Sequence, residues 1–152
     1  MYNISSDSWT WLSGRNVANT AGVYGRYAIT NYYPSSRHAQ DMIFHPGMNC
    51  LFLYGGYGYV SSTITSLFTL GRGWNISLSL DYLQDLWMYE IGKNWTLLSS
   101  ASYLAQFGTK GVPSVNNYPG ARSGHSMVFQ SSLNSFFLFG GYGEALGPLG
   151  VY

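Results

Sequence analysis

One cysteine, Cys50, stands in a chain of 152 residues, so an intrachain disulfide framework is excluded. Charge is equally scarce. Charged residues make up 9%, the net charge is +1, and Lys and Arg are scattered from Arg15 to Arg122. No basic stripe exists to neutralise a phosphate backbone, which argues against nucleic-acid partners. The acidic residues Asp7, Asp41, Asp81, Asp85, Glu90 and Glu144 are too dispersed to nominate a carboxylate pair for glycoside hydrolysis. No apolar run approaches the roughly 18 residues of a membrane-spanning helix. The N-terminal "MYNISSDSW" lacks the basic segment and apolar run of a signal peptide. Helical periodicity is never sustained beyond a turn.

What is present is aromatic and glycine-rich. Aromatics reach 18%, with 14 Tyr and 19 Gly, between clusters of Ser and Asn. That is the composition of many short strands joined by turns. It is also written twice. "FLYGGYGY" (Phe52 to Tyr59) returns as "FLFGGYGE" (Phe137 to Glu144) at an offset of 85 residues. The same offset relates Tyr33-Pro34 to Tyr118-Pro119, Arg37 to Arg122, Met42 to Met127, Phe44 to Phe129 and Asn49 to Asn134. "MYNI" at Met1 matches "MYEI" at Met88, and "WTWLS" at Trp9 matches "WTLLS" at Trp95, with drifts of one or two residues. A drifting period marks a repeat with variable loops, not a single phosphate-binding turn. Neither glycine stretch fits G-x-G-x-x-G or precedes an amphipathic helix.

Each repeat reads as hairpins. Arg37 to His45 and Arg122 to Gln130 are first strands, followed by the turns "HPGMN" and "QSSLN". Cys50 to Tyr54 and Ser135 to Phe139 are apolar second strands, buried on both faces and ended by Gly-Gly. Tyr57 to Leu80 reads as an irregular loop. A third strand runs from Asp85 through Ile91, "GKN" turns the chain, and "WTLLSS" is a short fourth strand at an edge. The expected fold is all-β and antiparallel with almost no helix.

These residues resemble the kelch repeat. The order is Arg, strand, apolar strand ending Gly55-Gly56, then Tyr89 and Trp95 six positions apart. Arg122 and Gly140-Gly141 repeat the beginning, and Tyr2 with Trp9 resembles the end of a preceding unit. Gln40 stands where the second copy has His125, and the loop after Gly56 is longer than in compact kelch units. The resemblance implies blades of a β-propeller: residues 1–13 ending one blade, 33–99 forming a complete four-stranded blade with the long loop 57–80, and 118–152 starting another. One blade and two half-blades leave open strand edges. The expectation is either a piece of a longer propeller or head-to-tail association, with Met1 to Ser13 of one copy on Ser135 to Tyr142 of the next. Three copies would then make a six-bladed ring.

Candidate chemistry is thin. His38, Asp41 and His45 invite a metal, but Asp41 and His45 lie about 13 Å apart along a strand and His38 points to the other face. No metal site and no cofactor are expected. His125 is read as making a structural hydrogen bond between strands, Asp81 and Asp85 as bonding backbone at a turn, and Cys50 as a small residue at a strand start. Tyr57, Tyr59, Trp74 and Tyr142 are the candidate interaction surface, with flat apolar faces and a polar handle. Three N-x-[ST] sequons, at Asn3, Asn75 and Asn94, are candidate glycosylation sites. The reading is a non-enzymatic extracellular or cell-surface module for protein interaction or assembly, with protein partners, further copies of itself, or carbohydrate. The alternatives are a carbohydrate-binding or galactose-oxidase-like propeller domain, which the resemblance also admits, and an intracellular kelch adaptor.

Overall fold

The computed structural model describes residues 1–24, 32–60, 79–99 and 105–143. Among these the chain is all-β, with eleven strands and one 3₁₀ turn, Ser131–Leu133. The strands are β1 (Tyr2–Asn3), β2 (Ser8–Trp9), β3 (Arg37–His38), β4 (Asp41–His45), β5 (Cys50–Tyr54) and β6 (Tyr57–Val60). They continue with β7 (Ser79–Tyr82), β8 (Leu86–Glu90), β9 (Trp95–Ser99), β10 (Arg122–Gln130) and β11 (Ser135–Gly143). They form a four-stranded sheet in the order β4-β5-β8-β9, a three-stranded sheet β3-β6-β7, and the hairpins β1-β2 and β10-β11. Every pairing is antiparallel.

The stretch from Tyr57 to Leu80 is not wholly irregular, as its sequence suggests. Tyr57–Val60 leaves the four-stranded sheet, pairs with Ser79–Tyr82 and returns the chain to β8. The cue was masked by Gly58, which looks like loop chemistry. A Cβ there would come within 2.7 Å of the Arg37 Cβ, so the glycine admits β3 alongside.

The sequence repeat is a repeat of backbone. Arg37 pairs with Gly58 and His38 with Tyr57, while 85 residues later Arg122 pairs with Gly143 and Ser123 with Tyr142. Asp41 opposite Tyr54 likewise becomes Ser126 opposite Phe139. Left-handed positions recur in register: Ala39 (φ 52) and Gly124 (φ 66), Asn49 (φ 51) and Asn134 (φ 47), and Gly55-Gly56 (φ 61, 100) and Gly140-Gly141 (φ 72, 91). Both turns close the same way, Asn49 N–H donating to Pro46 O and Asn134 N–H to Ser131 O, each at 3.3 Å. Asn tolerates this conformation because its short polar side chain bonds locally.

The core lies between the four-stranded sheet and the β10-β11 hairpin. Successive β5 residues Phe52 (6% exposed) and Leu53 (4%) point to opposite faces and are both buried, as expected of a strand covered on two sides. Phe52 meets Phe136 at 4.8 Å between ring centroids. His45, buried beside them, stands 4.2 Å from Phe129. Its Nδ1 accepts from the Met48 N–H at 3.2 Å, so Nε2 carries the proton it donates to Asn134 Oδ1 at 2.9 Å. On the opposite face, Trp87 is completely enclosed.

Among these recurring left-handed positions, Ala39 is the one where a non-glycine residue faces a glycine in the second repeat. Its Cβ costs about 1–2 kcal/mol in that conformation. Since Ala39 is exposed, nothing compensates by packing. Ala39→Gly is expected to stabilise the protein by about 1 kcal/mol, after the greater unfolded-state freedom of glycine is counted. Urea unfolding midpoints check this, and a lower midpoint for the variant would contradict it.

Candidate functional site

A buried charge pair organises the junction where the strands change sheets. Arg37 binds Asp85 through two parallel hydrogen bonds, Nη1 to Oδ1 at 2.5 Å and Nη2 to Oδ2 at 2.7 Å, with both side chains 4% exposed. Around it, Tyr24 OH donates to Asp85 Oδ2 at 2.8 Å and Trp87 Nε1–H to the same oxygen at 2.6 Å. Arg37 also donates to the Gly55 carbonyl at 2.9 Å and through Nε to Ser35 O at 3.2 Å. Burial alone would lower the Arg37 pKa, but the Asp85 charge and hydrogen bonds outweigh it and hold the value above the ordinary one. The Tyr24 hydroxyl is pushed up by burial and by the Asp85 carboxylate, and remains a phenol. Asp85 is therefore no turn residue bonding backbone with its side chain: its carboxylate takes an arginine, a tyrosine and a tryptophan.

The second repeat reuses the arginine. Arg122 Nη1 donates to Gly140 O at 2.9 Å, as Arg37 does to Gly55 O, and its Nη2 donates to Pro119 O. Backbone then laces the two repeats together. Gly56 N–H donates to Arg122 O at 2.8 Å, Arg122 N–H to Leu83 O at 3.1 Å, and Leu83 N–H to Gly56 O at 2.8 Å. This closeness explains Gly55, and the approach of His38 within the first repeat explains Gly56. A Cβ on Gly55 would lie 2.6 Å from Arg122 O, and one on Gly56 would lie 2.9 Å from His38 O. Tyr54, its phenol pushed up by burial, donates to Gly120 O at 2.9 Å.

His125 departs from its expected role as an interstrand hydrogen bonder. Both ring nitrogens are buried and find no partner among the described residues; the ring stands edge-on to Tyr54 at 5.5 Å. The equivalent residue, Gln40, likewise has a buried Oε1 without a partner. Burial lowers the His125 pKa, with Asp41 opposing and Arg122 reinforcing the shift. Asp41 itself is engaged: its Oδ2 accepts the Met127 N–H at 2.6 Å. Among the described residues no three His, Cys, Asp or Glu side chains converge on a common point. Cys50 is buried, its thiol donating to Met48 O at 3.2 Å.

The candidate interaction residues are partly brought together. Tyr57 and its repeat mate Tyr142 flank Tyr82, with ring centroids 5.1 and 5.5 Å away, and Tyr142 is 58% exposed. Tyr59 is half-buried at the Ser36 carbonyl, to which its N–H donates at 3.1 Å. Trp74 and the sequon at Asn75 lie outside the described residues. Asn94 is exposed in the β8-β9 turn, and Asn3 is exposed with its Oδ1 accepting from the Ser5 and Ser6 N–H groups. Tyr89 and Trp95 stack across β8-β9 at 5.0 Å, and Tyr2 and Trp9 do the same across β1-β2 at 5.2 Å.

One exposed aromatic face is not evident from the sequence. On β10-β11, Val128, Phe137 and Phe139 share one face, and Phe139 is 82% exposed. Their counterparts in the first repeat include Phe52 and Tyr54, buried against the second repeat. Between the β10-β11 hairpin and the four-stranded sheet opens a cavity of about 280 Å³, lined by Tyr54, Leu86, Met127, Phe136 and Leu138 among others. No helix among the described residues is long and apolar enough to cross a membrane. No family model, curated protein or solved structure matches the chain.

Two outcomes follow from this geometry. Asp85→Ala leaves the Arg37 charge buried without its counterion and is expected to cost about 3–5 kcal/mol; a loss below about 1 kcal/mol in urea unfolding would count against the network. His125 has a folded pKa below its unfolded value near 6.5. Its contribution is complete above that value and is lost as the pH falls toward the folded pKa, at up to about 1.4 kcal/mol per pH unit. Unfolding curves for the native chain and His125→Gln, recorded from pH 7.5 to 5.5, should therefore diverge, the native chain losing more stability.

Proposed function

We propose that the chain is part of a kelch-type β-propeller and serves as a non-enzymatic, extracellular module for protein interaction and assembly. The observation that carries this reading is the 85-residue repeat of strand register and left-handed positions, including the arginine that donates to the first glycine of each Gly-Gly pair. A radial array of such sheets is built for display, since each adds variable loops to a rigid frame. Exposed aromatic surface supplies the contacts: Tyr142 with Tyr82 and Tyr57 at one end, and Phe137 and Phe139 on the outer face. In this reading Gly55, Gly56, Tyr89, Trp95, Arg122, Gly140 and Gly141 are frame residues, and the partners are proteins.

The exposed Asn3 and Asn94 sequons support placement outside the cell, since both are open to a glycan. The chain, directed into a eukaryotic secretory pathway behind a supplied leader, is expected to gain glycan mass that an endoglycosidase removes. Asn94→Gln should lose one glycan. A secreted chain carrying no glycan at Asn3 or Asn94 would remove the support for an extracellular glycoprotein. Copper uptake with peroxide release on a sugar alcohol would replace the module by an oxidase.

A further inference from the structure

We propose that the free edge of β11 is a docking site for the β1-β2 hairpin of a second copy of this chain, with Tyr2 seated opposite Phe136. The inference rests on the assembly reading above and deepens it by naming the surfaces and the register.

Three observations converge. The first is an edge. In the four-stranded sheet β5 lies between β4 and β8, whereas its counterpart β11 pairs among the described residues only with β10. The second is a space. The cavity of about 280 Å³ opens between the hairpin and the facing sheet, walled by Phe136, Leu138 and Met127 of the hairpin and by Leu86 of that sheet. The third is a plug. Tyr2 and Trp9 form the same cross-strand aromatic pair as Tyr89 and Trp95, yet Tyr2 is 42% and Trp9 81% exposed where Tyr89 is 4%.

The register comes from the contact already made within the chain. Leu51 pairs with Tyr89 and Cys50 with Glu90. Carried over to the second repeat, Phe136 takes Tyr2 and Ser135 takes Asn3. Residues directly opposite in an antiparallel pair share a face. Tyr2 therefore falls on the side of Phe136, which lines the cavity, and brings Trp9 with it. In the chain's own fold the hairpin is exposed, and the residues after β2, Trp11 to Arg15, line a hollow with Asn94 of the β8-β9 turn. Hairpin and edge are different surfaces, so the contact is heterologous and passes from copy to copy.

Cysteine cross-linking of the full chain tests the register. The background is Cys50→Ser, which installs the residue the second repeat uses at Ser135, in protein made without glycans so that Asn3 is bare. Chains carrying Asn3→Cys mixed with chains carrying Ser135→Cys are expected to form a disulfide-linked heterodimer under mild oxidation. The off-register mixture of Asn3→Cys with Phe137→Cys should yield far less. In sedimentation the chain should associate with rising concentration, and Trp9→Ser should raise the dissociation constant at least roughly tenfold, about 1.4 kcal/mol. Trp9 is too exposed for that change to unfold the chain. A monomer at all concentrations, or equal cross-linking in both registers, overturns the docking. The glycan measurement is independent, so a glycosylated monomer would sink this contact and leave the extracellular module standing.

Discussion

The structure depends on one buried charge pair. Arg37 opens β3 and Asp85 immediately precedes β8, on either side of the β6-β7 excursion, and their pairing helps fix where β5 ends and β8 begins. Removing two charges from water is expensive, and the cost is offset only when geometry and additional hydrogen bonds are favourable. Here both conditions hold. The fork is bidentate, other arginine protons go to the Gly55 carbonyl and to Ser35, and Tyr24 and Trp87 fill the remaining capacity of the carboxylate. An apolar replacement could supply packing. It could not say which residue ahead of β8 belongs beside Gly55.

From that junction the two repeats are tied by backbone. Gly56, Leu83 and Arg122 exchange N–H and C=O groups in a short circuit, which a side chain on Gly55, against the Arg122 and Leu83 carbonyls, would break open. The apolar faces add affinity across a wider area, through Phe52, Phe129 and Phe136. The hydrogen bonds set position, and the aromatic rings supply most of the burial. That division leaves the outer face of β10-β11 ready for contact, since it carries aromatics in the same places with no sheet against them among the described residues.

The frame was legible in the sequence because its marks are local. Gly-Gly, the arginine ahead of each first strand, and the Tyr and Trp of a tight hairpin recur at spacings that a linear reading detects. The acid was not. Asp85 lies 48 residues from Arg37, and nothing near it distinguishes it from Asp81. β6 and β7 were hidden because glycines that admit a neighbouring strand look like loop residues when the neighbour is unknown. His125 was assigned a hydrogen bond because histidines in strands usually have one; its surroundings are set by Tyr54 and Gly55, which arrive from the other repeat. The exposed Phe137 and Phe139 were missed for the opposite reason. A continuous apolar strand predicts burial on both faces, and only the fold reveals that one face is bare.

Cys50 turns the first sheet into its own reporter. The thiol is 3% exposed at the start of β5, so a reagent in solution reaches it only when that strand comes away from its neighbours. With no other cysteine in the chain, every modification event records the same opening. The rate of thiol labelling under native conditions therefore measures the free energy of releasing β5, separately from that of unfolding the whole chain. A single buried sulfur, too isolated to staple anything, gives a clock for the strand at the centre of the fold.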